Sequence, residues 1–497
     1  MSTNYVSQYI VINEPELLFS ATSKEYCHKS PIVGLNNWGP YDSSISGFIR
    51  PSNPIRLAII SDHEKIHRLL EYLNSLNRTI LLPSADDYLL GYKGFYDIYK
   101  TRLFIPAYGD NLIQLISQEE IVQCENVEDK EIHFIEVVKK YIRNLIPLRD
   151  KFDLIIFHVT DEMANFERVY KNNYIFDLRD HIKAFCAPNN LKIQFIRDKS
   201  IPTDLNLPKK EHVRKAWWLS LAIYCKAGGI PYKLKEIIPK TAYVGLSYAV
   251  SVTRNENKIV LGMSQIFDET GEGIRFRLVP MKNPLWDRSD VYKKNPFMSK
   301  EDAFRLFTII RQDYQSINGE LPKRVVVHKT TPFHNDEIDG ICEALTGINE
   351  IELLTIQRNV PHRVILGADD QIDLQGKPNR KAALFPVKRG TILPLDTEAF
   401  LLFTQGDVPW VNLKDRRYHY YQENRSIPYP LLIQRYLGVE PIETVAEDIL
   451  KLTKMNWNNL QLYNILPVTI IFAHRIAQIV KHVENYSNIP SDFRYYI

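Results

Sequence analysis

An α/β fold in two successive parts is what this sequence predicts: a Rossmann-like unit, followed by a unit with the element order of an RNase H-like fold. Two observations carry that prediction. Between residues 55 and 229, apolar strands alternate with amphipathic helices, the rhythm of a parallel sheet with crossover helices. From residue 242 the rhythm changes to three strands in succession, then a helix, a further strand and, near the end, a last helix. The 497 residues, 45% hydrophobic and 24% charged, are enough to bury large cores.

The first ~50 residues are rich in Gly, Pro, Ser and Asn and read as an arm with few helices. "IRLAIIS" (55–61) reads as a strand, and "DHEKIHRLLEYLNSLN" (62–77) as an amphipathic helix with Asp62 as its N-cap. Residues 119–146 are mostly helical in pattern, and 152–159 form a buried strand. A short helix lies within 174–187 and a strand at 191–197. Residues 210–229 form a helix stopped by Gly228 and Gly229. "IPYKL" (230–234) reads as a linker. Strands are expected at 242–252, 258–268 and 273–280, a helix at 299–318, a strand from Arg324, a helix at 335–347 and more strands between 351 and 413. The last helix spans 467–485, with Pro467 in its first turn.

Net charge is only +3, so a polyanion site would have to be a local patch. The longest apolar runs fall far short of the ~20 residues that cross a bilayer. The first residues lack the pattern of a secretory signal. Cysteines 27, 124, 186, 225 and 342 are scattered without CxxC spacing, which argues against a zinc site or disulfide framework and for a reducing cytoplasm.

Several stretches resemble the short prokaryotic Argonautes. "YCKAGGIPYKL" (224–234) is similar to the junction of their MID and PIWI domains. "NWNNLQLYNILPVTIIFAHRIAQIV" (456–480) resembles the last PIWI helix and its approach. "VVVHKTTPF" with Glu337 behind it resembles a PIWI strand, and "EPELLF…GLNNWGPYD" the N-terminus of that subgroup. The resemblance covers nearly the whole chain. It implies an arm at 1–52, a Rossmann-like MID domain at 53–235 and an RNase H-like PIWI domain at 236–497.

In that family the MID domain grips a guide strand's 5′-phosphate. Its pattern is an aromatic, His or Arg residue, a Lys four later, a Gln on the next element and a Lys on the following helix. The matching residues are Arg179, Lys183, Gln194 and Lys226. Arg179 and Lys183 share a helix face by their spacing, and a phosphate wants charge-assisted donors from several elements, helped by a helix N-terminus. Taken alone, Arg179 and Lys183 would read as a solvated basic face and Lys226 as a cation favoured at a helix C-terminus. The resemblance also implies Mg²⁺ at the first phosphates, held by the Gln194 side-chain oxygen and the carboxylate of Ile497.

A PIWI nuclease site holds two Mg²⁺ ions, ~4 Å apart, on carboxylates. Here the first position falls on Ser247, the one after strand 324–327 on His328, Lys329 and Thr330, and the last on His474. Hydroxyls and a lysine cannot supply the anionic oxygens that Mg²⁺ needs. Glu269 or Glu272 could stand in as a mobile acid, but either reads more simply as a turn residue. Cleavage is therefore not expected. Lys329, placed near the vacated cations, would repel Mg²⁺ and attract a phosphate, and Arg475 would meet the guide backbone.

The resemblance implies a guide-RNA-directed sensor of single-stranded target DNA that does not slice. Its partner would be an APAZ chain fused to an effector such as a TIR or Sir2 NADase, in a heterodimer whose activated stoichiometry stays open. The output would be defence against plasmids and phage. Two other readings stand beside it: an RNase H-like nuclease with unconventional acids, and a nucleotide-binding α/β protein.

Overall fold

The computed structural model describes residues 9–47, 51–82, 89–171, 175–205, 209–253, 256–268, 273–286, 296–358, 360–364, 368–372, 378–382, 387–408, 411, 428–483 and 489–497. The chain divides into two compact units. The first comprises Leu17–Lys233, Trp457–Leu460 and Gln478–Ile497; the second comprises Met1–Glu16, Leu234–Asn456 and Gln461–Ala477.

The first unit runs α1 (Pro31–Trp38), β1 (Ile55–Asp62), α2 (Ile66–Ser75), β2 (Ile113–Ile116), α3 (Gln118–Glu125), α4 (Lys130–Leu145), β3 (Leu154–Val159), α5 (Leu178–Cys186), β4 (Ile193–Arg197) and α6 (Lys210–Lys226). Its sheet is parallel. β4 pairs with β3, β3 with β1, and β1 with both β2 and the two-residue strand Leu103–Phe104. β3 is buried along its whole length because helices cover both faces of the sheet, which is why it reads as a continuous apolar run. Ala58, Ile60, Ile155 and Phe157 pack with Val138 and Ile142 of α4 and Ile182 of α5.

Two local expectations need correction. Asp62 ends β1 and does not cap a helix. It is buried, its carboxylate accepts from Glu64 N at 2.7 Å, and α2 starts only at Ile66. That side-chain bond makes an Asx-type turn, which delays the helix by one turn of chain. The arm is not a loose one. Residues 17–47 belong to the first unit, where Leu17, Phe19, Ile32 and Leu35 are buried. The division between the units falls within "IPYKL", between Lys233 and Leu234, and Ile230, Tyr232 and Leu234 of this stretch are buried. Residues 478–497 group with the first unit, although the expected boundary assigned them to the later domain.

The second unit contains β5 (Thr241–Leu246), β6 (Ala249–Thr253), β7 (Glu256–Phe267), α7 (Lys300–Asn318), β8 (Arg324–Lys329), α8 (Asn335–Ala344), β9 (Glu350–Gln357), β10 (Thr391–Pro394), β11 (Ala399–Phe403), β12 (Leu431–Leu437), α9 (Ile442–Leu452) and α10 (Val468–Val480), the last through Ala477. Its mixed sheet runs from Ile10–Val11 through β10, β11, β12, β9, β8, β5 and β7 to β6. β5, β8 and β9 are parallel, and their outer neighbours are antiparallel. The single strand expected at 242–252 is broken at Ser247–Tyr248 into β5 and β6, both paired to β7.

The pleat of β8 places two sets of residues on opposite faces. Val325 and Val327 pack with Leu306 of α7 and Ile341 of α8. Arg324 reaches Asp448 of α9 at 2.6 Å, and His328 reaches Thr469 of α10 at 2.8 Å.

Candidate nucleic-acid interface

The predicted phosphate residues lie in the first unit, on α5, β4 and α6. On α5, Leu178, Ile182 and Cys186 enter the core, and the Asp177 side chain caps the helix by accepting from Arg179 N at 3.0 Å. That orientation turns Lys183 toward the last residues of the chain. Lys183 is only 3% exposed; its Nζ donates to the Ile497 main-chain oxygen at 2.6 Å and to Tyr496 O at 3.1 Å.

Lys226, at the end of α6, is buried as well. Its Nζ donates to Gln194 Oε1 at 2.7 Å and to Ile193 O at 3.0 Å. Lys192, just before β4, lies 5.4 Å from the centre of the Tyr495 ring, so the tail comes to the same end of β4 as the Lys226–Gln194 pair. The turn after α6 makes this possible. Gly228 has φ +111°, which favours glycine, and a Cβ on Gly229 would lie 2.3 Å from the Tyr224 ring.

Arg179 is placed differently. Its guanidinium sits 3.7 Å from the Glu167 carboxylate and 5.4 Å from the centre of the Phe195 ring. Glu167 also accepts from Arg197 Nε at 2.7 Å. The two lysines sit in the last turns of α5 and α6. The expected assistance from a helix N-terminus is therefore not what these lysines have. Both helix ends present negative carbonyl groups, which favour the ammonium ions.

Gln194 has a second neighbourhood. It lines a cavity of about 200 Å³ together with Tyr72, Lys215, Trp218, Ala222 and Asn458. Glu167, Phe195, Trp218 and Asn458 were not found by sequence reasoning. Phe195 had a local signal, standing next to Gln194. Glu167 and Asn458 had none, because only tertiary packing brings them near.

In the second unit the three residues that the resemblance matches to nuclease ligands lie at neighbouring positions. Leu246 of β5 is paired with Lys329 of β8, so Ser247 and Thr330 are the next residues of adjacent parallel strands. Thr330 Oγ1 and His474 Nε2 of α10 are 3.4 Å apart. Burial lowers the His474 pKa and pushes that of His328 down to about 3, so both imidazoles are neutral. The three positions thus carry two hydroxyls and a neutral ring. Among the described residues, no group of three or more His, Cys, Asp or Glu side chains could hold a metal ion. Glu269 and Glu272 lie outside the described residues. Arg475 is half-buried on α10, one residue after His474.

Lys329 corrects the expectation made for it. It is 1% exposed, and its Nζ donates to Glu337 Oε2 at 2.6 Å and to Pro332 O at 3.0 Å. The rings of Phe297, Phe333 and Tyr248 surround it, with centres 4.9, 5.0 and 5.1 Å away. Glu337 is itself fully buried and also accepts from Met298 N and His334 N. The pleat explains the difference: Thr330 follows His328 toward α10, whereas Lys329 points with Val327 toward α8. Lys329 is thus paired with a buried carboxylate inside the unit instead of being presented at the strand end.

The architecture, a parallel α/β unit and a mixed-sheet unit, is similar to that of Argonaute structures. Over its full length the chain matches Clostridium butyricum Argonaute bound to a guide DNA and a 19-mer target DNA, with a TM-score of 0.63, 16% identity and 55% of that chain covered. Aa-Ago with externally bound siRNA matches 98% of this chain and 56% of its own, with a TM-score of 0.59 and 18% identity. In sequence, the protein argonaute of Aquifex aeolicus is 23% identical over 377 residues, 72% of this chain and 46% of that protein. The chain spans about half the length of the relatives it matches. No protein-family model matches. Among the described residues, no helix is long and apolar enough to cross a membrane.

Proposed function

We propose that this chain binds a 5′-phosphorylated guide strand and uses it to capture a target strand without cutting it. The observations that support the reading are two buried pairs, Lys183 with Ile497 and Lys226 with Gln194, on helices flanking β4. Two buried ammonium groups on separate helices, with an amide between β4 and α6, make a charge-assisted cradle for a phosphate. Arg179, one helical turn from Lys183 and partly exposed, closes over the first nucleotide.

Mg²⁺ suits the oxygen donors there. Gln194 Oε1 and the Ile497 oxygen would hold it, and it would neutralise neighbouring guide phosphates. Both oxygens now accept from lysines, which the phosphate would draw away.

Absence of slicing follows from the side chains at Ser247, Thr330 and His474, none of which is anionic. Sequence selection is then left to base pairing, with the protein holding backbones. Guide RNA, single-stranded DNA target and an APAZ-effector partner, a TIR or Sir2 NADase, complete the reading. That part rests on the resemblance of the arm and of "VVVHKTTPF" to the short Argonautes, and the output would be antiplasmid or antiphage defence.

The test has two parts. Binding is measured for one RNA with a 5′-phosphate or a 5′-hydroxyl, and the phosphate form should bind at least tenfold tighter. Cleavage of a guide–target pair is measured with Mg²⁺ or Mn²⁺ for the natural protein and for the Ser247→Asp/Thr330→Asp variant. Equal binding of the two guides, or slicing by the natural protein, would overturn the reading.

A further inference from the structure

The geometry points to Asp42 as a positioning residue for the phosphate cradle, acting from the N-terminal segment on the end of α6 that presents Lys226. This rests on the proposed role of Lys226 and adds a part of the chain that the phosphate pattern does not include.

Asp42 lies in the short turn Tyr41–Ser44 and is 3% exposed. One carboxylate oxygen accepts from the Tyr224 hydroxyl and the other from Ile230 N at 2.7 Å. Two main-chain bonds flank it: Tyr41 N donates to Pro231 O at 2.9 Å and Asp42 N to Ile230 O at 3.3 Å. Asp42 therefore spans the reversal of chain from Tyr224 to Pro231. Lys226 sits inside that span, two residues after Tyr224.

Lys226 is the last residue of α6, and the reversal after it is closed by Gly228 N to Cys225 O and Gly229 N to Tyr224 O, both at 3.0 Å. Gly228 and Gly229 form its middle, and glycine restrains the backbone least of all residues. Asp42 adds a tie from outside the helix, holding both ends of the reversal with one carboxylate. Burial raises the Asp42 pKa to about 6, and the bonds from Tyr224 and Ile230 N oppose that rise.

A residue that only stabilised the unit would weaken all guide binding alike, or lower the melting temperature alone. A positioning residue changes the ratio of affinities for 5′-phosphate and 5′-hydroxyl guides. That ratio is measured by titrating labelled RNA into the natural protein, Asp42→Ala, Asp42→Asn, Tyr224→Phe and Lys226→Ala. Asp42→Ala is expected to lower it by roughly tenfold, the scale of a lost charged hydrogen bond. Asp42→Asn, which keeps an acceptor for Ile230 N, should recover part of the loss. Tyr224→Phe removes one hydroxyl and should fall between the natural protein and Asp42→Ala; it decides the matter if Asp42→Ala does not fold. A ratio in Asp42→Ala or Tyr224→Phe within twofold of the natural one, while Lys226→Ala lowers it, overturns the role of Asp42. A natural ratio near one overturns the phosphate reading itself.

Discussion

Replacing Lys329 with methionine separates two opposite accounts of the strand end at β8. In the structure Lys329 is a buried cation, bonded to a fully buried Glu337 and caged by three rings. Burial lowers its pKa and Glu337 raises it, and burial prevails in direction. Removing one partner of a buried ion pair typically costs about 3–5 kcal/mol, because the other charge is left uncompensated. Here the lower end applies. Glu337 keeps its bonds from Met298 N, His334 N and Tyr248, and methionine fills an aromatic cage well. A loss of about 3 kcal/mol in a unit of this size corresponds to a fall in melting temperature of roughly 6–12 °C. The Lys329→Met/Glu337→Gln variant should recover part of it, since no charge is then stranded. Guide affinity and its dependence on salt should not change once the protein is folded. The assays are thermal unfolding followed by guide titration at several salt concentrations below the melting point. A melting temperature within about 1 °C of the natural one, with the salt slope reduced by roughly one unit, would show a phosphate contact and refute the buried-pair account.

Other consequences can be checked with similar means. Lys183→Ala and Lys226→Ala should each weaken a 5′-phosphorylated guide by roughly tenfold or more and a 5′-hydroxyl guide far less, as read by fluorescence anisotropy. The rings of His181 and His482 are tilted by 32° with centres 3.8 Å apart, and burial pushes their pKa values down to about 4 and about 3. The unfolded chain takes up these protons near pH 6.5, so stability is full above that pH and falls away as the pH drops toward 4. His482→Phe should flatten the decline, which denaturant unfolding between about pH 4 and 7 would show. Gly229→Ala puts a methyl group against the Tyr224 ring and should cost about 1–3 kcal/mol in a denaturant melt.

The alternating elements of the first unit were readable because each is a local pattern. β3 is continuous and apolar because both its faces are covered, and α5 shows its buried stripe at Leu178, Ile182 and Cys186. The residue types at Ser247, Thr330 and His474 were equally plain, since the presence or absence of a carboxylate needs no coordinates. The likeness of short motifs singled out Lys183, Gln194 and Lys226; that Lys226 bonds Gln194 and Lys183 bonds the tail is nowhere in their spacing.

What the tertiary structure decided is direction and distance. A one-residue step along β8 reverses the face of a side chain, and this sends Lys329 to Glu337 while Thr330 turns to His474. Asp62 reads equally well as a cap or a strand end until its carboxylate is seen to close a turn of its own. Lys183 and Ile497 are 314 positions apart, and Asp42 and Tyr224 are 182 apart. No periodicity spans such separations. Hydrogen bonds and burial are satisfied by the folded chain as a whole, so a local reading supplies the parts and only packing says which of them touch.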